Sequence, residues 1–510
     1  MLEQIDLTKK MSKKELKERM EHLEPELARL QQECKEAGIP ILIVFEGFGA
    51  SGKGYQISRL IRALDPRGFS VHTVGRETEE ERMHPFLWRY WIQTPPAGHM
   101  TIFDRSWYRK VLIDRFDGIT PDEQLSDAYR QINSFEQQLT DEKTVLIKLF
   151  LCIDKKEQKK RFKKLLDTPA TAWRVTKEDL KRNKHFDAYK QICDEMLEHT
   201  DSDHACWTLI ESMDREFATV KIYTAVITAM KQALIRNSQR TADSVPPSDP
   251  APAPDTTPYH SASLGDEVLR TSSLQKADLS LSLSKSEYKK QLEILQRRLG
   301  ELHGEFYRHR IPMVIGFEGW DAGGKGGAIK RLTDPMDPRG YQVNPTAAPN
   351  DVERAHHYLW RFWNRMPKDG HIAIFDRTWY GRVMVERIEG FCSAADWQRA
   401  YQEINDMEQQ LARHGTLVLK FWMQIDKDEQ ERRFRERMEN PKKQWKITEE
   451  DWRNREKWDL YEKAVDEMLV RTSTTYAPWI IVEGNDKYYA RIKVLKTVVE
   501  AMEQRLAHKA

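Results

Sequence analysis

The residues best suited to chemistry lie in a glycine-rich segment of the second half of the chain. Residues 319–327 read Gly-Trp-Asp-Ala-Gly-Gly-Lys-Gly-Gly and contain the G-x-x-x-x-G-K pattern of a phosphate-binding loop, or P-loop. In such a loop the backbone N–H groups turn toward one centre, the following helix adds its positive dipole end, and the lysine reaches a phosphate oxygen. The residues predicted to bind phosphate are Gly319, Gly324, Lys325, Gly326 and Gly327.

The loop lacks the hydroxyl residue that usually binds magnesium. An ordinary P-loop has Ser or Thr directly after the lysine, and here that position is Gly326. Carboxylates are alternative oxygen ligands for Mg²⁺. Asp321 lies inside the loop, and Asp376 ends a later apolar run as a Walker B carboxylate does. We therefore expect Asp321 and Asp376 to hold Mg²⁺, with helix capping or turn closure as the alternative role of each.

Three arginines follow Asp376 within a dozen residues. They are Arg377, Arg382 and Arg387. A guanidinium group binds phosphate oxygens in two places and keeps its charge, so we predict that Arg377 and Arg382 act in catalysis and that Arg387 binds phosphate. The alternative for Arg382 is an ion pair with Glu386, four residues further along a helix.

A longer basic segment, residues 431–457, is broken by Asn440-Pro441. A basic helix, a break and another basic helix resemble a mobile lid that closes over phosphates. We expect two or three of its charges to touch substrate, with Arg433 as a candidate, and the others to be solvated. Its basic residues are Arg432, Arg433, Arg435, Arg437, Lys442, Lys443, Lys446, Arg453, Arg455 and Lys457.

The chain contains two copies of one sequence pattern. IFDRSWY begins at Ile102 and IFDRTWY at Ile374, and other matches recur at this same spacing. Between the copies lies a segment rich in Pro, Ser and Ala, which cannot form a packed core. We predict a first domain over residues 1–237, a Pro/Ser-rich linker over 238–282 and a second domain over 283–510.

Each copy shows alternating strand and helix signals. A charged amphipathic helix is predicted over 13–36 and 286–308, and apolar runs typical of buried parallel strands follow it. Such alternation favours an α/β fold with a parallel sheet covered by helices on both faces. The predicted strands are 41–45, 100–103 and 145–153 in the first copy and 313–317, 372–375 and 417–425 in the second.

Composition limits the location and the partners of the chain. The net charge of +2 provides no global field for nucleic acid or a membrane, so any polyanion site must be local. No apolar run reaches the length of a membrane helix and the start lacks a signal peptide, which favours the cytoplasm. The five cysteines show no CxxC spacing, so neither a disulfide framework nor a zinc site is expected.

The motifs resemble those of the family 2 polyphosphate kinases. The family signature, G-x-D-x-x-G-K-x-G with a later F-D-R-[ST]-W-Y, is matched across residues 319–327 and 375–380, and Gly381-Arg382-Val383 follows. The resemblance implies two tandem P-loop kinase-like domains with a three-layer, thymidylate-kinase-like α/β/α fold and helical lids. It also implies Mg²⁺-dependent transfer of a terminal phosphoryl group between inorganic polyphosphate and a nucleotide. The fused two-domain members resemble polyphosphate:AMP phosphotransferases, which make ADP from AMP.

The same resemblance assigns roles to individual residues. Asp321 and Asp376 would hold magnesium and orient the attacking phosphate. The residues that would stabilise the transferring phosphates are Lys325, Arg377, Arg382 and Arg433.

The two copies are not equivalent in chemistry. The first keeps Lys53, Asp104 and Arg105 but has Gly49 and Lys110 where the second has Asp321 and Arg382. Three basic lid positions of the second copy are also replaced in the first. Leu165 stands in place of Arg437, Asn183 in place of Arg455 and His185 in place of Lys457. Without this charge, phosphoryl transfer loses much of its stabilisation. We therefore expect the first half to be a degenerate, non-catalytic partner that packs on the second, with a second active site of altered specificity as the alternative.

Other functions remain open from the sequence. The acceptor is expected to be AMP, but a polyphosphate-dependent nucleoside diphosphate kinase that converts ADP to ATP, or an ATP-dependent nucleoside monophosphate kinase, would use similar loops. Composition does not rank AMP above ADP or GMP, and it leaves open whether the chain forms a homo-oligomer. A non-enzymatic polyanion-binding scaffold is disfavoured, because it would not need Asp321, Lys325 and Asp376 in one copy.

Overall fold

The computed structural model of the protein describes residues 1–243, 272–441, 447 and 449–508. These residues form two compact units. The first unit contains residues 1–77, 89–243 and 351–357, and the second contains 78–88, 272–350 and the described residues of 358–508. Most of the predicted linker falls outside the described residues, as do the lid lysines Lys442, Lys443 and Lys446.

Each unit contains a five-stranded sheet in which every neighbouring pair of strands is parallel. The order is β2-β3-β1-β4-β5 in the first unit and β10-β9-β6-β8-β7 in the second. The strands of the first unit are β1 (Ile41–Gly47), β2 (Phe69–Thr73), β3 (Met100–Asp104), β4 (Val145–Cys152) and β5 (Trp207–Glu211). Those of the second are β6 (Met313–Gly319), β7 (Tyr341–Pro345), β8 (Ile372–Asp376), β9 (Leu417–Gln424) and β10 (Trp479–Glu483).

Helices connect the strands in both repeats. The first eleven are α1 (Lys13–Glu36), α2 (Lys53–Leu60), α3 (Glu79–Arg82), α4 (Trp88–Trp91), α5 (Ile113–Phe116), α6 (Leu125–Asp141), α7 (Lys155–Leu166), α8 (Pro169–Ala172), α9 (Lys177–Lys184), α10 (Phe186–Thr200) and α11 (Arg215–Asp243). The others are α12 (Lys285–Arg308), α13 (Lys325–Thr333), α14 (Asp351–Arg354), α15 (Trp360–Trp363), α16 (Val385–Glu389), α17 (Ala394–His414), α18 (Lys427–Glu439), α19 (Glu449–Glu456), α20 (Trp458–Thr472) and α21 (Lys487–Ala507). A 3₁₀ turn, Trp379–Val383, lies between β8 and α16 and has its counterpart at Trp107–Lys110.

The central strands are apolar because both of their faces are buried. Six of the seven residues of β6 are buried, and β1 has the same burial pattern. The core on one face of the second sheet combines β6, β8 and β9 with apolar residues of α12, α13 and α21. The side chains of α17 and the 3₁₀ turn cover the other face, where Phe375 packs edge-to-face on Trp379. Two faces covered by helices make each unit a three-layer α/β/α structure.

The fold predicted from the sequence is confirmed. The predicted strands and the helix over 13–36 are present, and the second amphipathic helix begins one residue earlier than predicted, at Lys285. The helix α11 extends to Asp243, beyond the predicted end of the first domain at 237. No helix in the described part of the chain is long and apolar enough to cross a membrane.

Candidate active site

The P-loop of the second unit connects β6 to α13. Gly319 has a φ of 140°, and a Cβ there would lie 2.6 Å from the carbonyl oxygen of Met423 on the neighbouring strand β9, so only glycine fits. Gly324 has a φ of 109° and directly precedes α13. These glycines let the chain reverse within a few residues and bring backbone N–H groups to the N-terminus of a helix, where anions bind.

Lys325 is folded back against the loop. Its Nζ donates hydrogen bonds to the carbonyl oxygens of Gly319, at 2.6 Å, and Trp320, at 3.3 Å. The side chain is half-buried, so it keeps access to solvent on one side. A phosphate oxygen placed in the loop would attract the same ammonium group by charge.

A cleft of about 530 Å³ lies over the loop. It brings together Asp321, Lys325, Asp376 and Arg377, four of the five predicted catalytic residues. The remaining walls are Ala322, Gly323, Gly324, Gly326, Gly327, Pro345, Thr346, Ala347, Arg437 and Asp451. Residues from two strand ends and from the lid therefore meet around one space of a size suited to a phosphate-bearing ligand.

The carboxylate of Asp321 is held by two donors. The Nη2 atom of Arg377 lies 3.2 Å from Oδ1, and Nδ2 of Asn454 donates to Oδ2 at 3.1 Å. The backbone oxygen of the same residue accepts from Nε2 of Gln430 at 3.1 Å. Asn454 lies on α19 and Gln430 on α18, so this aspartate connects the P-loop with both lid helices. The sequence offered no motif that could have identified the two amide residues.

The acidic residues of the cleft fit a magnesium ion that shares its ligands with substrate. Among the described residues there is no group of three or more His, Cys, Asp or Glu side chains arranged to hold a metal ion. Asp321 and Asp376 both line the cleft. Magnesium is commonly bound through one or two carboxylates plus phosphate oxygens and waters, so two aspartates beside a phosphate loop match this chemistry.

The backbone that carries Asp376 and Arg377 is fixed by a buried glutamate that the sequence did not single out. Arg377 has a φ of 66°, which is unusual for a residue other than glycine. Next to it, Thr378 donates from its N at 2.6 Å and from its Oγ1 at 2.8 Å to Oε1 of Glu318. Burial raises the pKa of Glu318, although the positive charge of Lys325 opposes this shift. The Phe-Glu-Gly triplet at residues 45–47 and again at 317–319 is the sequence signal that could have identified this residue.

A second buried network anchors the 3₁₀ turn that follows. Glu408 on α17 accepts from Trp379 Nε1 at 3.1 Å and from the hydroxyl of Tyr380 at 2.7 Å. Its other oxygen accepts from Nζ of Lys420 at 2.7 Å, and Lys420 also donates to the carbonyl oxygen of Thr472 at 2.7 Å. The pKa of Lys420 is lowered by burial, and the negative charge of Glu408 opposes this shift only in part. The network explains why the F-D-R-T-W-Y motif needs Trp and Tyr.

Two predicted arginines point to protein carboxylates. Nε of Arg382 lies 3.2 Å from Glu386, the i, i+4 pair named as its alternative, and its guanidinium lies over the Tyr358 ring. Arg387 Nη1 donates to Glu467 at 2.6 Å, and its guanidinium stacks over the Trp397 ring at 3.9 Å. The structure does not bring Arg382 and Arg387 into the lining of the P-loop cleft. Their roles on phosphate stay predictions.

Arg433 lies beneath the loop and is buried. Its Nη1 donates to the carbonyl oxygen of Ala322 at 2.8 Å, and its Nη2 donates to those of Gly484, at 2.5 Å, and Asn485, at 3.0 Å. Burial lowers the pKa of Arg433, while Glu429, which also pairs with it, raises it. The geometry gives Arg433 the role of tying the P-loop to the segment after β10. A direct contact with phosphate stays a prediction.

The equivalent site of the first unit is more enclosed. Lys53 is buried and donates to the carbonyl oxygens of Gly47, at 3.0 Å, and Phe48, at 3.2 Å. Burial and the nearby charge of Arg105 lower its pKa. A Cβ added at Gly49 would lie 3.0 Å from Phe162, and the cavity beside it measures about 20 Å³. The first unit therefore lacks both the loop carboxylate and the space that an Asp would need.

The comparisons with known proteins agree with this geometry. A model of the family described as polyphosphate kinase 2 (PPK2) matches residues 10–238 and again residues 282–510. The chain belongs to the polyphosphate kinase 2 family. Both repeats are PPK2 domains, so the tandem organisation seen in the sequence is a duplication of the family's unit.

Several curated relatives span nearly the whole chain. A polyphosphate:AMP phosphotransferase from Pseudomonas aeruginosa is 41% identical over 478 residues, which cover 94% of this chain and 93% of the relative. One of the same name from Acinetobacter johnsonii is 34% identical and covers 91% of each. A crystal structure from Pseudomonas aeruginosa, described as polyphosphate kinase 2, is 37% identical and covers 100% of both chains with a TM-score of 0.86. This chain thus matches two-domain PPK2 proteins in sequence, length and fold.

Proposed function

We propose that the protein transfers the terminal phosphoryl group of inorganic polyphosphate to AMP and releases ADP. The observation that carries the proposal is the cleft in which Asp321, Lys325, Asp376 and Arg377 surround one P-loop. The acceptor is supported by relatives named polyphosphate:AMP phosphotransferase that cover more than nine tenths of this chain. A relative named ADP-polyphosphate phosphotransferase matches only 45% of it.

The proposed reaction needs positioning and charge neutralisation from the protein. A phosphate oxygen of AMP forms a bond to the terminal phosphorus, and the bond from that phosphorus to the bridging oxygen breaks, so the chain leaves one phosphate shorter. Lys325 and Arg377 face the cleft and would offset the negative charge of the transferring group. The backbone N–H groups at the start of α13 would hold the donor phosphates in line.

Mg²⁺ belongs to the proposal as well. Asp321 and Asp376 would hold it, because both line the cleft with the P-loop lysine, the first from inside the loop and the second from the end of β8. When bound, the ion would neutralise charge on the phosphates between donor and acceptor. Arg377 and Asn454 each donate to one oxygen of the Asp321 carboxylate and so limit its rotation.

The donor is tested with purified full-length protein, Mg²⁺, AMP and either polyphosphate or ATP, with nucleotides separated by chromatography. We expect ADP to form faster with polyphosphate. We also expect the apparent affinity for polyphosphate to fall steeply as salt rises, because a long polyanion is bound mainly through charge. Equal or faster formation of ADP from ATP and AMP would instead identify an ATP-dependent nucleoside monophosphate kinase.

The acceptor is tested in the same assay by replacing AMP with ADP or GMP. Under the proposal, AMP gives the highest kcat/KM. A higher kcat/KM with ADP would assign the chain to the nucleoside diphosphate kinase reaction. A cytoplasmic location and the absence of nucleic-acid or membrane partners remain part of this proposal, and fractionation of cells with an antibody to the chain tests the location.

A further inference from the structure

A second cavity, of about 210 Å³, lies beside the P-loop of the second unit. It shares lining residues of the loop and the lid with the first cleft, including Gly324, Gly327 and Arg437, but it does not include Asp376. Its other walls come from β9, α18, α21 and the segment after β10. The same backbone loop therefore borders two spaces, of which only the first contains the predicted metal ligands.

The second cavity is strongly basic. Four cationic side chains line it against a single carboxylate, Glu436, which lies 3.7 Å from Lys487. The cationic residues are Arg433, Arg437, Lys487 and Arg491. Burial and the charge of Arg433 lower the pKa of Lys487, a sign of an electropositive surrounding that a bound anion would relieve.

Because Gly327 has no side chain, one of these cations can lie directly against the loop. A Cβ at Gly327 would lie 3.4 Å from Nη2 of Arg491, so the guanidinium lies against the first turn of α13. Lys487 and Arg491 are spaced i, i+4 and thus lie on the same face of α21. The cavity therefore presents a row of cations that starts at the P-loop and continues along a helix.

The first unit lacks this arrangement at the equivalent positions. Leu165 and Thr219 stand in place of Arg437 and Arg491, and Tyr55 stands in place of Gly327. Arg215, the counterpart of Lys487, lies over the Tyr55 ring at 5.0 Å. The Oγ1 atom of Thr219 donates to Gln56 at 2.9 Å. At these positions the side chains of the first unit thus contact one another instead of forming a row of cations.

The shared arginine has a different role. Arg161, the counterpart of Arg433, donates to the carbonyl oxygens of Ala50, at 3.1 Å, and Ser212, at 2.8 Å. Because both units use this arginine to tie the loop, it is a structural feature of the fold. The basic cavity depends instead on Arg437, Lys487 and Arg491. The first unit keeps a cation at the second of these positions, as Arg215, but has Leu165 and Thr219 at the other two.

We propose that this cavity is a distal donor subsite, which holds phosphates of polyphosphate beyond those bound in the P-loop cleft, and that Lys487 and Arg491 set a preference for long chains. The inference rests on the proposed function. The lining has cations along its length but no aromatic side chain, so it suits an inorganic polyanion better than the base of a nucleotide donor. A donor too short to leave the P-loop cleft would gain little from it.

The test compares donors of two lengths with the full-length protein and its Arg491→Gln and Lys487→Gln variants. With long-chain polyphosphate we expect KM to rise about tenfold for each variant, since each loses a charge-assisted contact, with kcat much less affected. With tripolyphosphate KM should rise far less. The salt dependence of the long-chain KM should weaken by about one unit of log–log slope for each lost cation.

Two further variants separate binding from structure. Lys496→Gln removes a charge from an exposed part of α21 and should leave both donors unaffected. Arg491→Lys should recover much of the long-chain affinity. Equal losses for both donors, or no loss for either, would overturn the distal subsite.

A direct binding measurement distinguishes a failure of the distal subsite from a failure of the proposed function. Fluorescence anisotropy of labelled long-chain polyphosphate measures affinity without turnover. We expect weaker binding by Arg491→Gln than by the unaltered protein, and equal binding would overturn the inference. If the unaltered protein bound polyphosphate but formed no ADP, the proposed function would fail while the subsite would stand.

Discussion

At the scale of single residues, Asp321 connects two parts of the site. Its carboxylate lies 3.2 Å from Arg377, which follows the Walker B-like aspartate, and accepts from Asn454 of the lid. The ion pair is partly open to solvent, so it adds little to stability and can exchange for substrate and metal contacts. With no hydroxyl at Gly326, the loop carboxylate should supply more of the metal affinity than in an ordinary P-loop.

The first prediction concerns this charge. Asp321→Asn keeps the size of the side chain and removes its negative charge, and we expect kcat to fall by about 10² or more. Circular dichroism should show an unchanged fold. Asp459→Asn, at an exposed position of α20, serves as the control and should keep full activity. Near-normal turnover of the Asp321 variant would show that this aspartate only shapes the turn and does not act in catalysis.

At the scale of elements, one buried ion pair joins the 3₁₀ turn, α17 and β9. Glu408 and Lys420 have exposed fractions of 0% and 1%, and Glu136 and Lys148 form the same pair in the first unit, both at 0%. Removing one partner of such a pair leaves an uncompensated charge in the interior. The network therefore anchors the 3₁₀ turn that directly follows Asp376, Arg377 and Thr378 to α17 and β9.

The second prediction uses the two copies of this network. Glu408→Ala and Glu136→Ala should each lower the free energy of unfolding of their unit by about 3–5 kcal/mol, measured by urea denaturation. At temperatures where both variants remain folded, only Glu408→Ala should lose activity, because only its unit has the complete cleft. Equal activity losses in the two variants would contradict this assignment.

The sequence predicted the central strands but not the edges of the sheets. β6, β8 and β9 have continuous apolar runs, whereas β7 is Tyr-Gln-Val-Asn-Pro and mostly exposed, so it has no hydrophobic pattern to detect. The loops were predictable because their glycines and lysine are adjacent in sequence. Asn454, Lys487 and Arg491 were not, because only folding brings α19 and α21 beside a loop more than a hundred residues away.

At the scale of the whole molecule, duplication produced two PPK2 domains that have diverged in the site and not in the fold. The sheets have the same strand order, and both loops contain an alanine with positive φ and are followed, after the next central strand, by an arginine with positive φ. The buried glutamate that accepts from Ser106 or Thr378 is also present in both. What differs is the loop carboxylate and the space around the lysine. The first unit therefore retained the fold but lost charges of the site.

The last prediction separates the two lysines by activity. If both sites worked, removing either P-loop lysine would leave about half of the total rate, as expected for independent sites. Lys325→Ala should instead abolish AMP phosphorylation, since this lysine offsets charge on the transferring group. Lys53→Ala should change the rate little, because Lys53 is buried against its own loop beside Gly49. The Lys53→Met and Lys325→Met variants keep the apolar stem and guard against loss of folding. The measurement is the initial rate with saturating polyphosphate and AMP. A Lys53 variant that is folded but inactive, together with an active Lys325 variant, would assign catalysis to the first unit.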